Sequence, residues 1–289
     1  MALHSKVLIT GYDGFTGRHL SKLLKINKYD CVGIQSDITN LKSLKKEIAS
    51  IEPDYVIHLA GISFTEEKNS SLIYQVNTIG TINLLDAILS LQKIPKKIIL
   101  ASSASVYGNN NKIVLNEKDI LNPVSHYGCS KLSMENLACN YFNKLPIIIT
   151  RPFNYSGIGH NEKFLIPKII HAFKSKKKSI ELGNIDIYRE FNDVRDIVMM
   201  YMLLLKTPLH SEIVNLCSGK TYKIYDIIKT LNDITNIKMN IDINQKFIRT
   251  NEIPSLKGCP TKLNSIISYK CIYQLHETLD WMFVEREIL

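Results

Sequence analysis

Three residue types in the middle of the chain could together perform acid–base chemistry. Ser102, Ser103 and Ser105 follow an apolar run, and Tyr127 and Lys131 are four residues apart, the spacing of one helical turn. A phenol is a general acid or base near neutral pH only when its anion is stabilised, and a nearby ammonium group does this. A serine hydroxyl would then hold a carbonyl or alcohol oxygen against the phenol. Because Tyr and Lys occur at this spacing by chance, the interpretation depends on the elements around them.

A glycine-rich turn near the N-terminus predicts a dinucleotide site. Residues 7–10 are an apolar, strand-like run, and Gly11, Gly14 and Gly17 follow it and lead into a helical pattern. A strand, a glycine turn and a helix in this order can hold a pyrophosphate. The glycines permit a tight turn, close approach of backbone to phosphate and close helix packing, and the helix N-terminus faces the anion. An ordinary βα turn that contains glycines is the alternative.

Five motifs together resemble the extended short-chain dehydrogenase/reductase family, of the NAD-dependent epimerase/dehydratase type. They are GxxGxxG, HLAG at 58–61, VNTIGTINLL at 76–85, SSASVYG at 102–108 and the YxxxK pair. The resemblance implies an α/β fold with a doubly wound parallel Rossmann sheet and a smaller, discontinuous C-terminal α/β lobe. The expected dinucleotide-binding domain is 1–153 with 191–217, and the expected substrate-binding lobe is 154–190 with 218–289.

The resemblance also assigns roles to the central residues. Ser103 would orient the substrate oxygen, Tyr127 would transfer the proton, and Lys131 would lower the pKa of Tyr127 and bind the nicotinamide ribose. His58, on a buried strand, is expected to be structural. The expected contacts to the cofactor are Gly11, Gly14, Phe15, Thr16, Gly17, Arg18, Asp37, Ile38, Leu59, Ala60, Gly61, Asn77, Tyr127 and Lys131.

The residues after the second predicted strand bear on the choice of coenzyme. Asp37 lies where a carboxylate could reach the adenosine half of a dinucleotide, and the resemblance places such an element on the adenine amino group. Gln35 and Ser36 stand where an acid would otherwise bind the ribose, and Arg18 could help bind a 2′-phosphate. The sequence therefore favours NADP(H), with NAD(H) as the alternative.

Two segments, RPFNYSGIG from Arg151 and YREFNDVRD from Tyr188, resemble those of 4-reductases that form GDP-6-deoxymannose or deoxytalose. Relatives that dehydrate the sugar carry acidic residues directly after the active-site serine. Ala104 and Ser105 cannot exchange protons in that way, so 4,6-dehydration is disfavoured. Some of those reductases also keep acidic residues there, so the subfamily match is incomplete. The expected substrate contacts are Ser63, Ser103, Ser105, Asn154, Lys168, Arg189, Arg249 and Glu252.

Two of these substrate contacts have simpler interpretations. Asn154 is equally typical of a turn, and Lys168 could be a solvated surface lysine. Arg189 and Arg249 suit phosphate because a guanidinium group presents several donors in one plane. Glu252 would bind a ribose hydroxyl.

The favoured reaction is NAD(P)H-dependent reduction of the 4-keto group of a nucleoside-diphosphate 4-keto-6-deoxyhexose, for surface polysaccharide such as lipopolysaccharide. A nucleotide-sugar 4-epimerase with tightly bound NAD is the alternative. A 4,6-dehydratase and a catalytically idle NADPH-binding subunit are less favoured, and an idle subunit has no need for the complete Ser103, Tyr127 and Lys131 set.

Composition restricts the remaining possibilities. The 289 residues carry a net charge of +9, mostly from scattered lysines, and the run at 174–178 lacks the interleaved aromatics of a nucleic-acid patch. Six cysteines without a CxxC pair predict reduced thiols and no metal site. The first predicted strand begins near residue 7 and the longest apolar run is short, so we expect neither a signal peptide nor a membrane-spanning segment. We therefore expect a cytoplasmic enzyme, and the resemblance implies a homodimer.

Overall fold

A computed structural model describes residues 5–63, 69–248 and 252–285. The strands are β1 (Lys6–Thr10), β2 (Asp30–Gly33), β3 (Tyr55–His58), β4 (Lys97–Ala101), β5 (Ile147–Pro152), β6 (Tyr155–Ser156), β7 (Ser179–Leu182), β8 (Tyr188–Glu190), β9 (Asn192–Asp193), β10 (Glu212–Leu216), β11 (Thr221–Lys223), β12 (Asn240–Ile243) and β13 (Ser255–Leu256). The helices are α1 (Phe15–Ile26), α2 (Leu41–Ile51), α3 (Ser70–Tyr74), α4 (Gly80–Leu89), α5 (His126–Cys139), α6 (Leu165–Lys174), α7 (Val194–Leu205), α8 (Ile224–Thr235), α9 (Thr261–Ile267) and α10 (Leu275–Val284).

The central sheet has six parallel strands in the order β10-β5-β4-β3-β1-β2. Thr10 pairs with His58, His58 with Leu100, and Ala101 with Thr150, so neighbouring strands end together at one edge. The glycine turn after β1, the segment after β3 and the serines after β4 therefore lie side by side, where open α/β sheets bind their ligands. The expected α/β fold with a doubly wound parallel sheet is confirmed.

Both faces of this sheet are buried. Alternate residues of the strands face opposite sides: Ile9, Ile57 and Ile99 belong to a core that includes α1 and α7, while Leu8 and Val56 belong to a second core with α2, α4 and α5. Burial on both sides explains why these strands read as continuous apolar runs. The resulting rigidity holds the strand ends in place.

One long helix changes its winding where it passes the strand ends. It begins as α3, becomes a π-helix over Gln75–Ile79, and continues as α4. Such π segments are frequent at functional sites. By length and hydropathy, Ser70–Leu89 is the one stretch within the described ranges that could cross a membrane, but half of it is buried in the fold, as in an ordinary core helix.

Three small sheets stand apart from the central one: β7 with β12, β11-β8-β13, and β6 with β9. Glu190, at the end of β8, connects these small sheets to neighbouring loops. Its carboxylate accepts the amide N–H groups of Ser218, Gly219 and Gly258. This fully buried side chain thereby links β8 to two distant loops. The exact division of the chain into two domains stays a prediction.

Candidate active site

Ser103 lies directly after β4, at the carboxyl edge of the sheet. It caps a short 3₁₀ turn: its hydroxyl oxygen accepts the amide N–H of Ser105 at 3.1 Å, and its side chain is almost completely buried. The same hydroxyl is near enough to the phenol of Tyr127 to favour the ionised phenol and so to act toward a lower pKa. With one lone pair engaged by the Ser105 amide, the Ser103 hydroxyl still has its proton to donate toward a neighbouring oxygen.

Tyr127 and Lys131 are carried by the first turns of α5. Ser125 caps this helix by accepting the amide N–H of Gly128, and a Cβ at Gly128 would lie 2.7 Å from the carbonyl oxygen of Ser105. The missing side chain thus lets the helix start pack directly on the serine segment. The ammonium of Lys131 donates to the carbonyl oxygen of Ala101, the last residue of β4, at 2.7 Å.

Burial sets the protonation states of both side chains. In place of the lowering by Lys131 that the sequence led us to expect, burial raises the pKa of Tyr127 to about 12, and only the nearby Ser103 hydroxyl opposes this change. Burial lowers the pKa of Lys131 to about 8, and the nearby Glu135 carboxylate opposes that change. Near neutral pH the phenol is therefore protonated and the amine is mostly charged, which is the state required to donate a proton and to stabilise the phenolate left behind.

A buried ion pair supports this group from behind. The Glu135 carboxylate, one turn after Lys131, binds the Arg151 guanidinium at 2.6 Å, and both side chains are only 2% exposed. Ser102 donates to the same carboxylate, and Arg151 also donates to Tyr107. Glu135 therefore connects α5, β5 and the end of β4. Sequence reasoning missed it, although its position four residues after Lys131 on the same helix face was a usable signal.

The backbone of the glycine turn makes the close contacts that are expected of a dinucleotide-binding site. Gly11 has a φ of +71°, and a Cβ on it would lie 2.9 Å from the amide nitrogen of Ala60. A Cβ on Gly17 would lie 2.2 Å from the carbonyl oxygen of Gly11. Gly14 begins α1 without a side-chain cap, so this helix end presents amide donors to an anion. These residues fit a nicotinamide dinucleotide.

The residues after Gly14 also contact the segment that follows β5. The hydroxyl of Thr16 lies 2.7 Å from that of Tyr155, and the Phe15 ring stacks on His160 with centroids 4.3 Å apart. Arg18 donates to the carbonyl oxygen of Gly159. These predicted cofactor residues hold the chain where it leaves the central sheet.

The segment after β3 completes the edge. The amide N–H groups of Leu59 and Ala60 donate to Thr10, and a Cβ on Gly61 would lie 3.4 Å from the Lys131 ammonium. Asn77 is fully buried and holds this segment through two hydrogen bonds with Ile62. Its position in the π-helix suits a supporting role better than direct contact with a cofactor.

His58 is a core residue, as expected. Its ring bridges the hydroxyls of Thr10 and Thr81 at 2.6 and 2.8 Å, and its side chain is only 1% exposed. Burial lowers the pKa of His58 to about 3. The ring is therefore neutral at ordinary pH.

Asp37 and Ile38 follow β2. Asp37 is exposed, and one of its carboxylate oxygens accepts the amide and the hydroxyl of Thr39, both at 2.8 Å. These hydrogen bonds lower the pKa of Asp37. Ile38 is buried, and its side chain lies where a Cβ on Gly80 would reach. The pair therefore shapes the loop at the adenosine end of the predicted site.

The predicted substrate residues are spread more widely. Lys168, on α6, donates to the carbonyl oxygen of Glu181 and lies 4.5 Å from the Phe247 ring centroid. Arg189, on β8, donates to the carbonyl oxygen of Tyr188.

Other predicted substrate residues lie in loops. Asn154 is exposed between β5 and β6, and Ser63 is exposed at the border of the described residues. One carboxylate oxygen of Glu252 is buried and has no hydrogen-bond partner among the described residues, as expected where a polar ligand binds. Arg249 lies outside the described residues.

The sheet, the glycine turn and the Ser–Tyr–Lys group define an oxidoreductase of the extended short-chain dehydrogenase/reductase class that uses a nicotinamide cofactor. The profile of the GDP-mannose 4,6-dehydratase family matches residues 33–282, and the chain belongs to that family.

Named relatives extend over nearly the whole chain. The GDP-6-deoxy-D-talose 4-dehydrogenase of Aggregatibacter actinomycetemcomitans is 36% identical and covers 91% of both chains. The GDP-6-deoxy-D-mannose reductase of Pseudomonas aeruginosa is 29% identical and covers 98% of this chain and 99% of its own. The structure of RMD from Pseudomonas aeruginosa complexed with NADPH superposes with a TM-score of 0.88 at 27% identity, covering 97% of this chain and 98% of its own.

Proposed function

We propose that the protein reduces the 4-keto group of a nucleoside-diphosphate 4-keto-6-deoxyhexose to a hydroxyl group. The observation that carries this proposal is the convergence of Ser103, Tyr127 and Lys131 at the carboxyl edge of the sheet, with Ala104 and Ser105 where a dehydratase needs acids. The named relatives, a GDP-6-deoxyhexose dehydrogenase and a reductase, support this reaction and favour GDP as the nucleotide.

The roles of the catalytic residues follow from their geometry. Ser103 donates a hydrogen bond to the carbonyl oxygen and polarises the C4 carbonyl. The coenzyme supplies the hydride that C4 accepts. Tyr127 donates its phenolic proton to the oxygen, which completes the alcohol, and Lys131 stabilises the resulting phenolate until a proton returns from solvent.

The substrate lobe supplies the other half of this proposal. Lys168, Arg189 and Arg249 would neutralise the diphosphate, Glu252 would accept a ribose hydroxyl, and Asn154, Ser63 and Ser105 would contact the sugar. The orphaned oxygen of Glu252 supports its role, because a ribose hydroxyl would satisfy it. Lys168 and Arg189 would exchange their contacts with backbone carbonyls for phosphate oxygens.

The proposal also includes the coenzyme, the oligomeric state and the location of the protein. The sequence favours NADPH over NADH, and this preference stays a prediction. A homodimer through α5 and the long helix that bears Asn77 is supported by the exposed apolar side chains of Ile79, Leu89 and Leu137 on these two helices. A cytoplasmic location and a place in surface polysaccharide synthesis are consistent with a soluble nucleotide-sugar enzyme.

The direct test is coenzyme oxidation with enzymatically prepared GDP-, dTDP- and CDP-4-keto-6-deoxyhexoses. We expect one of these, with GDP first, to consume NADH or NADPH and to yield the 6-deoxyhexose. Absence of consumption, together with co-purified NAD and interconversion of the parent sugars, would overturn the reductase in favour of the 4-epimerase.

A further inference from the structure

The structure supplies the acid that the sequence lacks at the end of β2. Glu47, on the second turn of α2, places one carboxylate oxygen 2.7 Å from the amide nitrogen of Gln35 and the other 2.8 Å from that of Ser36. Gln35 and Ser36 follow β2, and their own side chains are neutral. A residue distant along the chain thus brings a negative charge to this loop.

The location of this charge matters for the coenzyme. In dinucleotide-binding folds an acid at the end of the second strand binds the adenosine ribose 2′-hydroxyl, whereas a 2′-phosphate requires cations or free donors there. Glu47 occupies the two consecutive amide donors of Gln35 and Ser36 that could otherwise bind a phosphate. The loop therefore presents the Glu47 carboxylate instead of two free amide donors.

We propose that Glu47 determines coenzyme specificity and makes NADH the preferred coenzyme. Its carboxylate favours a 2′-hydroxyl, which can donate a hydrogen bond, and repels a 2′-phosphate, which cannot and is itself negatively charged. The structure thereby leads to a different expectation from the sequence, which favoured NADPH because Gln35 and Ser36 are not acidic.

The surrounding groups reinforce this selection. Partial burial raises the pKa of Glu47, but hydrogen bonds from the Ser36 hydroxyl and from the amides of Gln35 and Ser36 outweigh it and lower that pKa, so the group is ionised near neutral pH. A second carboxylate, that of Asp37, follows immediately in the chain. Arg18, the cation expected to bind a 2′-phosphate, instead donates to the carbonyl oxygens of Asp13 and Gly159.

A purely structural role for Glu47 would be to fasten α2 to the edge of the sheet. The two interpretations differ in one measurement. Loss of a purely structural residue changes the affinities for NAD⁺ and NADP⁺ by the same factor, whereas loss of a specificity residue changes the ratio of the two affinities. Glu47→Gln keeps the size and one acceptor oxygen but removes the charge. Glu277→Gln is the matched control, because Glu277 accepts the amide N–H of Gln274 at 2.7 Å at the start of α10.

The experiment is calorimetric binding of NAD⁺ and NADP⁺ to the purified protein without any sugar nucleotide. We expect wild type and Glu277→Gln to bind NAD⁺ at least tenfold more tightly, and Glu47→Gln to shift the ratio toward NADP⁺ by about tenfold, as expected for loss of one charge facing a phosphate. Preference of the wild type for NADP⁺, binding of neither, or an unchanged ratio in Glu47→Gln would overturn the proposal.

The same variants can then be compared as catalysts. This arm rests on the proposed function, and we expect the kcat/KM ratio for NADH over NADPH to fall with Glu47→Gln by the same factor as the binding ratio. If no sugar nucleotide is reduced while the binding ratio still shifts, the proposed function fails and the role of Glu47 stands. If reduction occurs but both ratios are unaffected, only the role of Glu47 fails.

Discussion

The edge of the sheet with Ser103, Tyr127 and Lys131, which we call the catalytic edge, and the proposed substrate lobe are built in different ways. Ser103, Tyr127 and Lys131 come from β4 and α5, and their side chains already contact one another or the end of β4. Lys168 and Arg189 come from separate small elements and are engaged with nearby backbone carbonyls. The chemistry is therefore preorganised by neighbouring elements, whereas the proposed binding of the nucleotide requires side chains to change partners.

Two buried carboxylates show the same contrast. Glu135, behind the catalytic group, is neutralised by the Arg151 guanidinium. Glu190, in the small sheets, is held by amide N–H groups, and burial raises its pKa despite them. Neutralising Glu135 leaves the buried Arg151 cation without its counter-ion. Neutralising Glu190 only gives its amide donors a poorer acceptor. The catalytic edge should therefore be the more sensitive region.

The largest effect is expected from Tyr127→Phe, which removes the proton donor at the catalytic edge. The kcat of sugar-nucleotide reduction should fall by about 10²–10⁴-fold, while calorimetric binding of the coenzyme persists because the glycine turn and Lys131 are intact. Tyr201→Phe is the control: this buried hydroxyl accepts from Thr150 in the core at 3.3 Å, so its loss should leave kcat within a few-fold. Retention of more than a tenth of wild-type kcat in Tyr127→Phe would contradict its role.

A smaller effect, on folding, distinguishes the two carboxylates. Glu135→Gln should lower the free energy of unfolding by about 3–5 kcal/mol, because it strands the Arg151 charge in the interior. Glu190→Gln should cost only about 1–3 kcal/mol, because its partners are neutral amides. Urea unfolding of both variants measures the difference. If Glu190→Gln lost as much free energy of unfolding as Glu135→Gln, or more, the expected order of the two carboxylates would be wrong.

The smallest expected effect, counted per pH unit, is a pH dependence of stability from His58. The pKa of His58 is about 3 in the fold and about 6.5 in the unfolded chain, so the unfolded chain binds more protons between these values. Stability from this group is complete above pH 6.5 and is lost toward pH 3, by at most about 1.4 kcal/mol per pH unit.

The measurement is urea unfolding across that pH range for wild type and His58→Gln. His58→Gln should flatten the acid-side slope relative to wild type, because glutamine binds no proton in this range. Equal slopes in wild type and His58→Gln would show that the buried ring does not control this dependence.

Much of the sheet and the close approach of Ser103, Tyr127 and Lys131 could be predicted because their signals are local. The apolar run before Gly11, the glycine spacing and the YxxxK pair each report on one turn, one strand or one helix face. The structural role of His58 followed from its place in a buried strand, and the fold confirmed it. The π-helix around Asn77 had no such signal, because its widened turn depends on contacts with Ile62 and Ser130.

By itself, the sequence determined the doubly wound fold and the residues that can transfer a proton, because periodicity and motif spacing act over a few residues. Only the tertiary structure decided which charges meet across distant segments. Gln35 and Ser36 read as a loop without an acid until α2 brings Glu47 against it, and the Glu135 carboxylate, which opposes the loss of charge that burial imposes on Lys131, meets Arg151 of β5 only in the fold. Electrostatic energy depends on distance in space and on burial, and neither quantity can be read from position in the chain.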